Sequence, residues 1–296
     1  RLFMNTRIAV IVLLLSSTGF GLTWLPIKAL GDAGLNGLHL VFIITGSVSI
    51  VLMPWLISQR AQWLSILPYM LLVALFGGTT LLAFQVAILH GDVIRVMILF
   101  YMLPIWSVLG GCLLLGEVLD RRRVITLMLC IGGAFLILEV WSVSWAAFGW
   151  IDALALLSGL ALAATSIVFR FTLDAPFTSK IGFMFVGGFL IVSAVLLLYP
   201  TGAAIPSATV LGGALAYSLA WILVVSFGSM WGVTCLGAGR SSVLIVVELV
   251  VAILSVLIIT QVGLKLYEAV GCVMVVMAAV LEGTRDDEVV AFASPQ

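Results

Sequence analysis

The stretch IRVMILFYMLPIWSVLGGCLLLGEVLDRRRVITLMLCIGGAFLILEV, residues 94–140, decides the fold of this chain. Two long apolar runs lie near 94–116 and 123–140, and three consecutive arginines, Arg121 to Arg123, stand where the second run begins. A helix of about 20 apolar residues is long enough to cross the hydrocarbon core of a bilayer. The stretch therefore predicts two membrane-spanning helices joined by a basic loop.

The same pattern continues through the rest of the chain. Hydrophobic residues make up 64% of the 296 residues and charged residues only 9%, whereas soluble domains contain roughly 25% charged residues. The mean hydropathy is +1.33. We therefore predict an all-α integral membrane protein with ten transmembrane helices. The predicted spans lie near residues 8–30, 37–57, 66–89, 94–116, 123–140, 149–169, 180–199, 208–235, 241–262 and 265–283.

Composition also excludes several classes of function. The loops between the predicted spans are too short for a soluble catalytic or nucleic-acid-binding domain, and a formal net charge of zero gives no general attraction to polyanions. The four cysteines fall inside predicted helices without paired spacing, which favours neither a disulfide framework nor zinc. We expect no enzymatic activity, no cofactor, no metal ion and no nucleic-acid partner.

The basic residues predict the orientation. If the loops alternate between the two sides, ten of the 13 Lys and Arg fall on the side of the N-terminus. Only Lys28, Arg95 and Lys265 fall on the other side. Cytoplasmic loops carry the excess of positive charge, so we predict that both termini are cytoplasmic and that the protein is a multi-pass protein of the cell inner (plasma) membrane.

Landmarks in the first half recur about 145 residues later. Arg95 falls on Arg240, and Leu99 falls on Leu244. Five crossings place the second copy upside down, which is the inverted architecture of many secondary transporters. We predict two inverted five-helix repeats. The first covers residues 1–145, the second covers 146–285, and 286–296 form a short cytoplasmic tail.

A motif in the first half points to a family. Leu103-Pro104 precedes the run 114–117, Leu-Leu-Gly-Glu, and a glycine-containing helix follows with Ile-Gly-Gly-Ala-Phe-Leu at 131–136. This order resembles the EamA-type repeat of the drug/metabolite transporter superfamily. The second half departs from it, because Leu249 follows Glu248 where the family often has proline, and Gln261-Val262 replaces Gly-Glu. The departure weakens the functional equivalence of the two halves.

The resemblance implies a transporter of small organic solutes. Helices one to four and six to nine would surround a central cavity, with helices five and ten peripheral. Chain length, tryptophan content and layout are similar to the amino-acid and metabolite exporters, which include an aromatic amino acid exporter. The implied activity is export of amino acids or related small metabolites by alternating access, in a monomer. The implied partners are the small-molecule substrate, the lipid bilayer and, as a coupling ion, protons.

Other functions stay open at this point. An exporter of cationic drugs or of other metabolites would have the same architecture. Phosphate recognition would require convergent basic side chains inside the bundle, and the predicted spans place none at mid-depth. From a different class, a non-transporting scaffold or an intramembrane enzyme remains an alternative, although an enzyme needs paired catalytic groups at one depth.

Glu248 is the sharpest candidate for function. It lies within the apolar run 243–252, where an acid at mid-helix costs roughly 2.5–3.5 kcal/mol on insertion scales. Such a residue is expected to face a cavity or a partner, as a proton carrier or as the partner of a substrate ammonium group. The alternative is a neutral acid that hydrogen-bonds between helices. Glu117, Glu139 and Glu282 lie at span ends, where we expect them to be solvated.

The remaining candidates are polar or aromatic side chains within the spans. Pro104 is expected to kink its helix and free the carbonyl of Phe100, either as a purely structural kink or to offer backbone groups to a ligand. Deep tryptophans offer apolar contacts, and amides or hydroxyls offer hydrogen bonds, although the same polar groups also hold helices together. The predicted substrate-binding residues are Trp24, Gln85, Tyr101, Trp106, Ser158, Ser166, Trp231 and Glu248, and no catalytic residue is predicted.

Overall fold

The computed structural model describes residues 6–35, 37–91, 93–117, 119–144, 148–173, 175–199, 206–236, 238–261 and 265–284. These residues form helices and no strand. The helices are α1 (Thr6–Gly21), α2 (Trp24–Asp32), α3 (Gly37–Ser58), α4 (Arg60–Trp63), α5 (Leu67–His90), α6 (Val93–Phe100), α7 (Leu103–Leu115), α8 (Arg121–Ile137), α9 (Trp150–Phe171), α10 (Phe177–Leu198), α11 (Ala208–Ala216), α12 (Leu223–Cys235), α13 (Ala238–Ile245), α14 (Val247–Thr260) and α15 (Leu266–Gly283).

Several of these helices join end to end into longer spans. Within the described residues, nine spans are long and apolar enough to cross a membrane. The prediction of an all-α membrane protein is thereby confirmed. The helix α8, at the place of the predicted fifth span, has 17 residues and is shorter than the other nine, so its crossing stays a prediction. The nine spans are Thr6–Asp32, Gly37–Ser58, Arg60–Ile88, Arg95–Leu115, Trp150–Phe171, Phe177–Leu198, Ala208–Cys235, Ala238–Ile259 and Leu266–Gly283.

Apolar side chains form both the core and the outer surface of the bundle, whereas the hydroxyl side chains within the spans are largely turned inward. Leu113 and Leu197, for example, are 82% and 81% exposed, as expected for a surface that faces lipid. Inside the bundle, hydroxyl groups donate to carbonyls of their own helix, as Thr45 does to Val41 at 2.7 Å. Because hydrocarbon offers no hydrogen-bond partner, these internal bonds are what allow polar side chains within a span.

Small residues bring pairs of helices into backbone contact. Helix α5 lies against α10, where a Cβ atom on Gly187 would overlap the carbonyl of Ala74 and one on Gly78 would lie 2.6 Å from the carbonyl carbon of Gly187. In the same way, Gly232 of α12 lies against Leu13 of α1. Small residues at such contacts are common between transmembrane helices.

Helix packing relates the two halves of the chain. Helix α1 packs on α12 and α14, as α9 packs on α5, α6 and α7. Helix α3 packs on α10, α7 on α13, and α8 on α15. A shift of about 145 residues converts each of these contacts into its counterpart. For example, it converts the contact of α1 with α12 into that of α9 with α5. The predicted boundary at 145/146 and the tail 286–296 lie outside the described residues.

Helix boundaries follow the same offset. Helices α6 and α13 begin at Val93 and Ala238, and α8 and α15 begin at Arg121 and Leu266, in each case 145 residues apart. Gly116, which ends α7, and Gln261, which ends α14, both adopt left-handed backbone conformations with φ of 67° and 56°. A left-handed residue ends a helix and satisfies its last carbonyls.

A buried ionic cluster lies on the N-terminal side of the bundle. Glu117 accepts hydrogen bonds from the backbone N–H of Ala238 at 2.7 Å and lies 3.1 Å from Arg123. Arg123 also approaches Glu282, which accepts a hydrogen bond from Thr126 at 3.0 Å. The expectation that Glu117 and Glu282 are solvated is wrong, since they are 7% and 0% exposed. Their span ends are covered by the neighbouring helices α8 and α13.

A second ion pair joins the other ends of α8 and α15. Lys265 donates to Glu139 across 2.7 Å, and both side chains are partly exposed. The hydrogen bond from Lys265 lowers the pKa of the Glu139 carboxyl group. Above that lowered pKa the pair is intact, and it is lost as the pH falls through it, so α8 and α15 are connected at both ends at neutral pH.

The contact between α5 and α10 can be tested with matched glycine substitutions. We expect Gly187→Ala to destabilise the protein by about 1–3 kcal/mol, because the new methyl group overlaps the backbone of α5. Gly212→Ala is the control, since a Cβ atom there meets nothing within 4 Å. The measurement is the thermal unfolding midpoint in detergent. Equal midpoints for the two variants would contradict the close packing of α5 and α10.

Candidate functional site

Two spans are interrupted in the middle of the bundle. Helix α6 ends at Phe100 and α7 begins at Leu103, so the helix is broken where a kink was predicted. Pro104 has no N–H to donate to the carbonyl of Phe100, which explains the position of the break. In the second half, a single turn residue, Val246, separates α13 from α14. Tyr101, in the first break, and Val246 are 145 positions apart.

Helix lengths place both interruptions near the middle of a bilayer of ordinary thickness. Glu248 is ten residues from the start of α13, about 15 Å along the axis at 1.5 Å per residue. Tyr101 is eight residues from the start of α6, about 12 Å from the opposite side. The hydrocarbon core is about 30 Å thick. The two residues therefore approach the same depth from opposite sides.

A hydrogen bond connects the two interruptions. The hydroxyl group of Tyr101 donates to Oε1 of Glu248 across 2.8 Å. Tyr101 is 4% exposed and lies within the main apolar core. Both residues were predicted site residues, but their pairing was not predicted. The offset of 145 residues between the repeats aligns Tyr101 with Val246, which lies two residues before Glu248. This alignment is the sequence signal that relates the two positions.

Neighbouring glycines allow close approach to these interruptions. A Cβ atom on Gly159 of α9 would lie 2.6 Å from the carbonyl oxygen of Phe100. One on Gly21 of α1 would lie 2.5 Å from the carbonyl oxygen of Glu248. At each interruption a helix of the other half of the chain thus covers the backbone. Glycine is required at both contacts because a side chain would displace the covering helix.

Three buried polar atoms near this depth lack a hydrogen-bond partner among the described residues. They are Nε1 of Trp106 and the hydroxyl oxygens of Ser107 and Ser17. Trp106 was a predicted site residue, whereas Ser107 was missed because a single serine in an apolar run carries no distinctive signal. Buried polar atoms are nearly always satisfied in native proteins, so water or a polar ligand is the expected partner of these groups.

The other predicted aromatic and amide residues are more widely distributed. Trp24, at the start of α2, donates from Nε1 to the hydroxyl of Ser255 in α14 across 2.9 Å. Trp231 packs against the apolar core, and Gln85 is half-buried on α5. The structure brings Trp24 to α14, the helix that carries Glu248. A contact of Gln85 or Trp231 with substrate stays a prediction.

Two of the serines predicted to bind substrate form hydrogen bonds within their own helix. Ser158 donates to the carbonyl of Ala155 at 2.7 Å, and Ser166 donates to that of Leu162 at 2.9 Å. Both residues of α9 are buried. These bonds satisfy the hydroxyl hydrogens locally, and a role in substrate binding stays a prediction. Among the residues that the structure describes, no group of three or more His, Cys, Asp or Glu could hold a metal ion.

The pairing of Tyr101 with Glu248 can be measured by a double-mutant cycle. Tyr101→Phe removes the donor and Glu248→Gln removes the carboxyl group, so the second substitution costs less once the first is present. We expect a coupling of about 0.5–3 kcal/mol in the free energy of unfolding in detergent. Tyr199→Phe serves as the control, because Tyr199 is 72% exposed. Additive effects of Tyr101→Phe and Glu248→Gln would show that the bond does not form.

Comparison with known proteins agrees with this architecture. Residues 7–139 match the EamA-like transporter family. Among 28 matching chains of solved structures, one crystal structure shares the fold with a TM-score of 0.71 at 15% identity, covering 93% of this chain and 96% of that chain. Comparison with curated protein sequences gives no match. Residues 7–139 of the chain are thus similar to the EamA-like transporter family, and they lie within a multi-pass helical membrane protein.

Proposed function

We propose that this protein is a secondary transporter of the cell inner membrane that exports amino acids or related small metabolites by alternating access. The observation that carries the proposal is the hydrogen bond between Tyr101 and Glu248, which joins two interrupted spans near mid-depth. Interrupted helices at the midplane are where secondary transporters bind substrates and coupling ions. The match of residues 7–139 to a transporter family supports the same conclusion.

The proposed architecture is ten crossings in two inverted repeats, with α8 as the fifth crossing. The helix starts at 93 and 238 and at 121 and 266 support this repeat. The exchange of helix contacts under the same offset supports it as well. The excess of Lys and Arg on the N-terminal side supports cytoplasmic termini. An inverted repeat allows one packing arrangement to open towards either side of the membrane.

The proposed site combines one acid with polar and aromatic groups. Glu248 binds the ammonium group of an amino acid and exchanges its hydrogen bond with Tyr101 for that contact. Trp106 and Ser107, whose polar atoms lack partners in the described part of the chain, hydrogen-bond to the substrate. The ring of Trp106 packs against an apolar side chain of the substrate.

Proton coupling is compatible with this site. A zwitterionic amino acid carries no net charge, so its crossing is not driven by the membrane potential. One proton that enters at 100 mV supplies about 2.3 kcal/mol, which corresponds to a gradient of roughly 50-fold. Glu248 is the proposed proton carrier, because it alternates between a carboxylate that accepts from Tyr101 and a neutral acid.

Cationic drugs are the second candidate class of substrate. A single acid at mid-depth, without a described basic side chain bonded to it, would favour a cation. A scaffold or an intramembrane enzyme is the alternative from another class. A scaffold requires no acid in the membrane interior, and a hydrolytic enzyme requires a second catalytic group beside Glu248.

Flux into proteoliposomes tests the proposed function directly. The purified protein is reconstituted and exposed to labelled aromatic, aliphatic, basic and acidic amino acids and to a cationic dye, with and without a proton gradient. We expect saturable flux of at least one class of amino acid, with competition by the unlabelled compound. Transport of the dye alone would indicate that the substrates are cationic drugs rather than amino acids. Absence of flux for every compound, with folded protein in the vesicles, would contradict the proposal.

Glu248→Gln tests the proposed proton carrier. The amide cannot exchange a proton, so we expect the protein to fold while flux falls at least tenfold or loses its dependence on the proton gradient. Glu139→Gln is the control, since Glu139 lies outside the spans and pairs with Lys265. Flux of Glu248→Gln that equals the parent at every pH would reduce Glu248 to a packing role.

A further inference from the structure

A groove separate from the central site opens between α1, α14 and α15. Its cavity volume is about 650 Å³. Arg7, Arg240 and Thr284 line its end on the N-terminal side. Deeper in the membrane it is lined by apolar side chains, among them Leu14, Val247 and Val276. None of the described residues that line it is acidic.

The polar and apolar parts of the groove are sorted by depth. Leu14 lies seven residues beyond Arg7 on α1, about 10 Å deeper at 1.5 Å per residue. Val276 lies eight residues before Thr284 on α15, at a similar depth. A ligand in this groove would therefore meet the exposed Arg7 and the largely buried Arg240 at one end and aliphatic side chains deeper in the membrane.

The walls of the groove belong to the surface that faces lipid. Ile11 and Val280, which line it on α1 and α15, are 56% and 56% exposed. Arg240 is held in place by its hydrogen bond to the carbonyl of Gly283 at 3.0 Å.

We propose that this groove binds an anionic phospholipid. The phosphate and headgroup lie against Arg7 and Arg240, and one acyl chain follows the aliphatic wall between α1 and α15. Arginine binds phosphate oxygens through pairs of parallel N–H donors. Anionic lipids are attracted to basic residues close to the membrane surface. The charge and the depth order of the groove thus match a phospholipid rather than a free metabolite.

Native mass spectrometry of the full-length protein measures this binding. The protein is released from micelles after incubation with phosphatidylglycerol or with phosphatidylcholine. We expect phosphatidylglycerol to be retained preferentially and Arg7→Gln to lower its retention about fivefold. Arg121→Gln, an exposed arginine of the same side that does not line the groove, is the control and leaves retention unchanged.

A second variant separates binding from folding. Val280→Trp fills the groove with an indole at an exposed position and is expected to abolish retention while the thermal midpoint without added lipid stays unchanged.

Equal retention by Arg7→Gln, Val280→Trp and the control would overturn the proposal. So would competition by inorganic phosphate alone, which would indicate a simple anion site. Retention only after deletion of 286–296 would assign the groove to the tail of the chain. None of these results depends on transport activity.

Discussion

Hydrocarbon offers no hydrogen-bond partner, and the hydrogen bonds described within the bundle are arranged around that constraint. Hydroxyl groups such as that of Ser166 donate to their own helix. Several charged groups at the span ends are paired, as Glu117 is with Arg123. The bond between Tyr101 and Glu248 meets the same requirement at mid-depth. There it also joins two interrupted spans, which is why this pair is the centre of the proposed site.

Features that depend on local sequence were predictable. The apolar runs predicted the positions of the spans to within a few residues, because the length of a crossing is fixed by the bilayer. Pro104 predicted the disturbance of its helix, since the missing N–H acts within one turn. Glu248 was recognised because an acid in an apolar run is costly wherever the helix packs.

Features that depend on packing between distant segments were not predictable in the same way. Tyr101 and Glu248 are 147 positions apart, and composition gives no reason to pair them. Glu117 and Glu282 were misjudged, because a position at the end of a span does not reveal whether another helix covers it. The offset of 145 residues was the one long-range signal in the sequence. It locates the paired interruptions, but it does not specify the contacts of their side chains.

The cluster at Glu117 has a consequence for leakage through the bundle. Its carboxylate accepts from the N–H of Ala238 and pairs with Arg123, which in turn approaches Glu282. Moving α13 away from this carboxylate would remove the N–H of Ala238 and leave Arg123 as its remaining partner. A buried charge that loses part of its hydrogen bonding is costly. The same carboxylate that holds the helices together therefore opposes a partial separation that would admit water at this end of the bundle.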